Sequence, residues 1–239
     1  MKTDEFAGKS FTAPEARARL FTEVVLRHVR PDQSLRVLDI GCGGGAALFE
    51  LAKALPRAQL EGVDVSELNI RMAEATCRQL ALDQRLRFVV ADYMSFRAAP
   101  FDLVVSDSTL QHIAEADKRL FSKLVDDLAP RGLLIFSIPH ACAYNSMLWG
   151  IRRLFRLLRS PFTDRLILAA GRLLERGRYS EQLLRERVPY MYLLPERRGG
   201  RRLNRYLQES FPFDFVAEHP VPHVSLAQPK HRVSIFRKR

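Results

Sequence analysis

Residues 35–45 read LRVLDIGCGGG, and no other stretch of the 239 residues limits the fold as tightly. A short apolar run, Leu35–Ile40, meets four glycines within five positions: Gly41, Gly43, Gly44 and Gly45. Glycine supplies left-handed backbone that other residues avoid, so the run reads as a buried strand entering a tight turn. Ala46–Leu55 then has helical periodicity and stops before Pro56. A strand, a glycine turn and a helix in that order bring backbone N–H groups close to a ligand. Gly41-x-Gly43-x-x-Ala46 also satisfies the loose dinucleotide fingerprint, which taken alone is a weak signal.

The same alternation continues downstream. Gln59–Val65, Leu86–Val90, Phe101–Ser106 and Leu133–Ile138 read as strands. Residues 13–29, Glu67–Leu82 (with Ser66 as cap) and Ala116–Leu128 (closed by Pro130-Arg131-Gly132) read as helices. Strands alternating with helices of that length imply right-handed crossovers and a parallel sheet. After Pro139 the alternation breaks. Two amphipathic helices fit at about 144–158 and 164–175, a further helix at Arg201–Glu209, and a closing strand pair at Phe213–Glu218 and His231–Phe236. The expected layout is a single domain over 1–239, with core at 1–139 and 199–239 and a helical, arginine-rich insertion at 140–198. No apolar run approaches the ~18 residues of a membrane span. The first residues lack the apolar stretch of a secretory signal. Cys42, Cys77 and Cys142 are too few and too far apart for a disulfide framework or zinc cluster, so reduced thiols in a cytoplasmic protein are expected.

Three carboxylates fall at three consecutive strand ends. Asp39 lies inside the first strand, where a dinucleotide-binding strand is normally apolar, and suits a ligand with a cationic amino group. Asp64 suits a ribose diol, whose two hydroxyls both donate to one carboxylate. Asp92 suits an adenine amino group. Together they line the crevice at the carboxyl edge of the sheet.

VLDIGCGGG (Val37–Gly45) resembles the first motif of the class I S-adenosylmethionine-dependent methyltransferases. GVDVS (Gly62–Ser66), VADYM (Val90–Met94), FDLVVSDSTLQHI (Phe101–Ile113) and LAPRGLLIFSIP (Leu128–Pro139) are similar to its later motifs, in order and at normal spacing. The resemblance covers about residues 15–139 and, more weakly, 201–239. It implies a Rossmann-like α/β fold: a seven-stranded, mostly parallel sheet with helices on both faces and an antiparallel last strand. It implies S-adenosylmethionine as cofactor and S-adenosylhomocysteine as product. Asp39 and the Gly41-Cys42-Gly43 loop would hold the methionine moiety, with the Cys42 side chain a small filler. Asp64 would take the ribose, Val65 the adenine face, Asp92 the adenine amino group, and Tyr93 would flank the ring. Ser106 and Gln111 would edge the sulfonium.

Methyl transfer is a direct displacement at a sulfonium carbon, and the protein mainly aligns nucleophile and methyl. A general base helps when the nucleophile carries a proton. His112 follows the fourth strand and His140 the fifth, so these two are the catalytic candidates. Tyr144, Tyr190 and Tyr192 are candidates for the acceptor pocket, with His219 and His223 weaker. The loop after the fourth strand is SDST rather than the Asn/Asp-Pro-Pro-aromatic signature of base and amide methylation. Pro139-His140 replaces the acidic pair of a metal-dependent catechol enzyme, and no zinc-thiol site is visible. A metal-free O-, N- or C-methyltransferase remains.

Lys and Arg number 38 against 27 Asp and Glu, a net charge of +11. Between Ile151 and Arg205 there are fifteen Arg, no Lys and five acids, so this one segment carries +10. A helix near 147–159 sets Met147, Leu148, Ile151, Leu154, Phe155 and Leu158 on one face and Arg152, Arg153, Arg156 and Arg159 on the other. The expectation is a lid whose apolar face covers substrate or core. An anionic membrane face is the alternative, and nucleic acid is disfavoured because no RNA-binding module accompanies the basic stretch. The expected partner is a small-molecule acceptor, either apolar or partly anionic. The alternatives are a membrane-associated enzyme acting on a lipid or quinone, and a non-catalytic binding module. An NAD-dependent dehydrogenase comes last.

Overall fold

A computed structural model describes residues 15–174, 180–222 and 228–239. The run before the glycines is strand β1 (Arg36–Ile40). The other strands are β2 (Gln59–Asp64), β3 (Leu86–Val90), β4 (Phe101–Asp107), β5 (Leu128–Pro139), β6 (Phe213–Pro220) and β7 (His231–Lys238). They form one seven-stranded sheet in the order β3-β2-β1-β4-β5-β7-β6. Neighbours among β1 to β5 are parallel, and β7 runs antiparallel to both β5 and β6. The strand order reverses between β1 and β4, which opens a crevice at their carboxyl ends.

Helices α1 (Glu15–Leu26), α2 (Ala46–Ala54) and α3 (Glu67–Gln79) cover one face of the sheet, and α4 (Asp117–Asp127) and α8 (Arg201–Ser210) the other. Both faces are therefore dry. Val37 packs with Phe21, Leu48 and Ile70, whereas its neighbour Leu38 packs with Phe121 and Leu124. A strand buried on both faces reads as a continuous apolar run rather than an alternating one, as β1 does. Ser66 caps α3, its Oγ accepting from the Asn69 N–H at 3.3 Å, a contact of the kind worth about 1 kcal/mol.

The insertion contains α5 (Ala143–Leu157), α6 (Pro161–Leu174), α7 (Glu181–Arg187) and a 3-10 turn at Val188–Tyr192. Two expectations change here. β5 begins at Leu128, five residues early, because Pro130-Arg131-Gly132 does not interrupt pairing. The ladder shifts register between Phe101↔Leu128 and Leu103↔Leu133, and Arg131 takes φ 63. Pro130 has no N–H to give the ladder, so the stretch bulges instead of breaking it.

The second change is the rotation of α5. Its inward face is Asn145, Leu148, Trp149 and Arg152, while Met147, Ile151, Leu154 and Leu158 of the supposed lid face point to solvent. Arg152 is only 6% exposed. Its guanidinium lies 5.1 Å over the Trp149 ring and donates to the Leu193 carbonyl at 3.3 Å. The Leu193 carbonyl and the Trp149 ring take the arginine inward, and a helical wheel does not register that. Burial lowers the Arg152 pKa to about 10, which keeps it charged. Among the described residues no helix is long and apolar enough to cross a membrane. The N-terminal leader reading and His223 lie outside the described residues.

Candidate active site

The glycine turn is as tight as its sequence implies. Gly41, Gly43 and Gly45 have φ of 73, 53 and 83. A Cβ on Gly41 would sit 2.1 Å from Thr109 Oγ1, so the loop after β4 presses directly on the turn. Cys42 is buried against Gly62, where a Cβ would come within 2.8 Å of its Sγ. Burial pushes the Cys42 thiol well above its ordinary pKa, consistent with a filler and not a nucleophile.

Asp64 ties the end of β2 to this turn. Its Oδ2 accepts from the Gly43 N–H at 3.0 Å, and its Oδ1 from the Ser66 N–H at 2.8 Å and the Asn69 amide at 3.4 Å. Burial raises its pKa while these N–H donors oppose the rise. Val65 is half-buried beside it. Asp92, after β3, accepts from the Met94 N–H at 2.8 Å.

Asp39 differs from both. It is 3% exposed, and among the described residues no donor or cation bonds its carboxyl. Burial, reinforced by Asp107 and Asp64, pushes its pKa up to about 8. Nearby, Gln111 donates its amide nitrogen to the Ser108 carbonyl at 2.7 Å, and its buried Oε1 has no partner. Two buried acceptors without donors suit a ligand that brings a positive, hydrogen-bonding group. The amino and sulfonium charges of S-adenosylmethionine meet that description, with Asp64 left for paired hydroxyls.

Two of the predicted contact residues spend their hydroxyls inside the fold. Tyr93 is buried in the core beneath α4, where its hydroxyl donates to Asp127 Oδ2 at 2.7 Å and Lys123 lies 4.6 Å from its ring. Ser106 is fully buried in β4, and its hydroxyl is spent on the Ile40 carbonyl at 2.9 Å. Both hydroxyls sit where no water reaches, so the fold itself must satisfy them.

The ends of β4, β5 and β7 form the other side of the site. Ser108, immediately after β4, takes φ 61, a left-handed backbone uncommon outside glycine. It is held by a buried cluster. Arg17 of α1 grips Asp107 with two hydrogen bonds, Nε to Oδ2 at 2.8 Å and Nη2 to Oδ1 at 2.7 Å. The same Nη2 reaches Ser108 Oγ at 2.7 Å and Ser137 Oγ at 3.0 Å. His231, opposite Pro139 in the β5–β7 ladder, completes the cluster. None of Arg17, Asp107, Ser137 or His231 is singled out by sequence reasoning. The only available signal was their polarity within apolar patterns, and their partners lie 90 to 214 residues away.

His140 follows β5 and is half-buried. Its Nδ1 lies 3.0 Å from the Lys230 carbonyl. A carbonyl only accepts, so Nδ1 carries the proton and Nε2 keeps its lone pair. His112, in a 3-10 turn at Leu110–His112, is half-buried and lies in electrostatic reach of His231. His219 is elsewhere, paired with His28 at 3.2 Å.

The insertion contacts this side. Asn145, at the start of α5, donates to the His140 and Lys230 carbonyls at 2.7 and 2.8 Å and accepts from the Lys230 N–H at 2.8 Å. Tyr144 is half-buried under Lys230, 4.9 Å from its ring. Tyr190, in the 3-10 turn, is half-buried; burial raises its pKa, and Asp64 lies in electrostatic reach. Tyr192 instead pins the insertion. Its hydroxyl donates to Asp164 Oδ1 at 2.5 Å, Arg159 covers its ring at 4.8 Å, and burial with Asp164 raises its pKa to about 12. Arg197 is buried and clamps the loop after β4, bonding Asp117 Oδ1 at 2.8 Å and the Leu110, Ile113 and Glu115 carbonyls. Part of the basic excess is thus internal scaffolding. Among the described residues no group of three or more His, Cys, Asp or Glu side chains is arranged to hold a metal ion.

Residues 37–132 match the family model described as a methyltransferase domain. Trans-aconitate 2-methyltransferase of Streptomyces avermitilis is 36% identical over 125 residues, covering 52% of this chain and 46% of that protein. The ubiquinone biosynthesis O-methyltransferase of Agrobacterium fabrum is 30% identical over 159 residues, covering 59% and 61%. The chain spans about half the length of the curated relatives it matches. Among solved structures, magnesium protoporphyrin IX methyltransferase of Synechocystis PCC 6803 with bound S-adenosylhomocysteine superposes with a TM-score of 0.62 at 16% identity, over 94% of this chain and 83% of that one. The 1,6-didemethyltoxoflavin-N1-methyltransferase of Burkholderia thailandensis gives 0.63 at 17% identity, over 94% and 79%. At these identities the likeness is one of fold.

Proposed function

We propose, from the premise that this chain belongs to the class I S-adenosylmethionine-dependent methyltransferases, that it moves the methyl group of S-adenosylmethionine to a small-molecule acceptor. The observation that carries the reading is Asp39, a buried carboxyl that lacks the cation it needs. Asp39 would hold the amino group, Asp64 the ribose hydroxyls, and Asp92 and Val65 the adenine. Bound there, S-adenosylmethionine supplies a methyl on a positive sulfur.

This chain's residues align the acceptor and take its proton. His140 Nε2 has a free lone pair at the β5 end, so it is the first candidate base, with His112 the second. Tyr190 and Tyr144 wall the space under the insertion. The test is binding of S-adenosylhomocysteine by calorimetry. The wild type should bind, and Asp64→Ala should weaken binding by about 1.5–3 kcal/mol, the range for a hydrogen bond to a charged group. No binding at millimolar concentration removes the reading. Unchanged affinity in Asp64→Ala removes Asp64 as the ribose ligand.

A second reading, peripheral membrane docking, rests on the outward faces of α5 and α6. Met147, Ile151, Leu154 and Leu158 form one exposed stripe, and Phe162, Leu166 and Leu173 another. Leu157, between them, is 83% exposed. Arg153, Arg156 and Arg165 flank the stripes and make no ion pair among the described residues. A second copy of this chain would meet the face with the same positive charge, whereas an anionic lipid surface complements it. The protein should co-sediment with phosphatidylglycerol vesicles and not phosphatidylcholine vesicles, and should release as salt rises. Leu157→Ser with Phe162→Ser should lose most of that binding, and equal pelleting with both lipids would end the reading.

A further inference from the structure

The His231 imidazole is 6% exposed, and its Nδ1 is surrounded by donors: Arg17 Nη2, Ser108 Oγ and Ser137 Oγ, each at 3.1 Å. A guanidinium has no lone pair to offer, so Nδ1 must be the acceptor. Burial and the Arg17 charge hold the ring well below its usual pKa, and it is neutral. A neutral imidazole that accepts at Nδ1 carries its proton at Nε2. That N–H has no hydrogen-bond partner among the described residues.

The groups around it agree on one kind of ligand. His112 after β4, His140 after β5, Arg152 of α5 and Arg17 of α1 all bear on His231 electrostatically, and each contribution is positive. The carboxylate of the cluster, Asp107, is already paired with Arg17. An ammonium group finds no free anionic partner here, whereas an oxygen lone pair finds a fixed donor in a positive surround. The two histidines at this edge also differ in kind. His140 offers a lone pair at Nε2, and His231 offers a proton at Nε2. One suits removal of a proton, the other suits holding an oxygen still.

We infer that His231 Nε2–H, at the start of β7 opposite the last residue of β5, is a fixed donor that binds an oxygen of the methyl acceptor, so that the site selects acceptors bearing a carboxylate, phenolate or carbonyl. The inference rests on the methyltransferase reading for the word acceptor, but its geometry does not. The role is one of positioning and selectivity, and the Arg17–Ser108–Ser137 cluster exists to keep the ring in one tautomer.

The test uses the full chain with ¹⁵N-labelled histidine, loaded with S-adenosylhomocysteine, and sodium benzoate as the oxygen probe against benzylamine as the cationic one. His231 should show the Nε2–H tautomer, unchanged from pH 6 to pH 8, with a resonance that moves on adding benzoate and not benzylamine. In His231→Leu, benzoate affinity read from His140 should fall roughly tenfold or more, and His231→Gln, which restores an N–H near Nε2, should recover most of it. Affinity for S-adenosylhomocysteine should be the same in all three proteins. If His231→Leu does not fold, the tautomer and the probe response of the wild type decide alone. An Nδ1–H tautomer, or a resonance indifferent to benzoate, overturns the inference. Failure of S-adenosylhomocysteine to bind at all would instead overturn the methyltransferase reading.

Discussion

Asp39→Asn should stabilise the free protein and cripple its ligand binding. The folded Asp39 carboxyl titrates at about 8 against 3.8 in an ordinary setting, mainly because it is buried and secondarily because Asp107 and Asp64 are near. The native state therefore holds a proton that the unfolded chain has released. The sign follows: this group's contribution to stability is complete below pH 3.8 and is lost as pH rises towards 8. At pH 7 the loss is roughly 4 kcal/mol, taking about 1.4 kcal/mol per pH unit. Asparagine does not titrate, so the loss of stability with rising pH that Asp39 contributes should be missing from the variant, and its urea midpoint should gain on that of the wild type steadily from pH 5 to 8. Calorimetry should then show S-adenosylhomocysteine binding weakened about a hundredfold, because an amide offers no charge to an ammonium group. In the wild type, binding at pH 7 should release a proton, read as heats that depend on the buffer's ionisation enthalpy. Parallel urea profiles in the two proteins would show that Asp39 is not the strained carboxyl described above.

The second large effect lies at Arg17 and Asp107. Their side chains are 10% and 12% exposed. Removing one partner of a buried pair strands the other charge, at a cost of about 3–5 kcal/mol. Arg17→Met should lower stability in urea by that amount and disorder the loop after β4, since Ser108 then loses the contacts that offset its left-handed backbone. Replacing both partners, Arg17→Met with Asp107→Leu, should recover much of the stability without restoring the site. A single-variant cost below about 1 kcal/mol would mean that the pair carries little of the fold.

The parts of the site legible in sequence are those built from local pattern. Asp39, Asp64 and Asp92 could be located because each lies at or within two residues of the end of an apolar strand, and Gly41 to Gly45 because a turn of that shape demands glycine. What escaped was contributed by distant segments. Arg17 sits in an ordinary helix and His231 in a late strand, and only the sheet order brings them together. Tyr93 and Ser106 lie in the right motifs, yet their hydroxyls are taken up by Asp127 and the Ile40 carbonyl, partners that a local pattern does not show. The burial of Arg152 and Arg197 is not legible in a count of arginines, which does not show which carbonyls will receive them. The α5 stripe was assigned inward on the rule that apolar faces seek the core, and Arg152 with Trp149 took that side instead.

The sheet order also sets a timetable. β7 enters between β5 and β6, and Ile135 pairs with Ile235 across a sequence gap of about one hundred residues. During synthesis β1 to β5 emerge first and can assemble the half that carries Asp39, Asp64 and the glycine turn. Until the late hairpin docks, β5 keeps an open apolar edge, a template for pairing with other chains, and the long loop makes that closure slow. His231 arrives with the same strand that seals the edge. The nascent protein is thus at its most aggregation-prone while only the glycine-turn half of its site exists, and the step that ends the exposure also completes the half that selects.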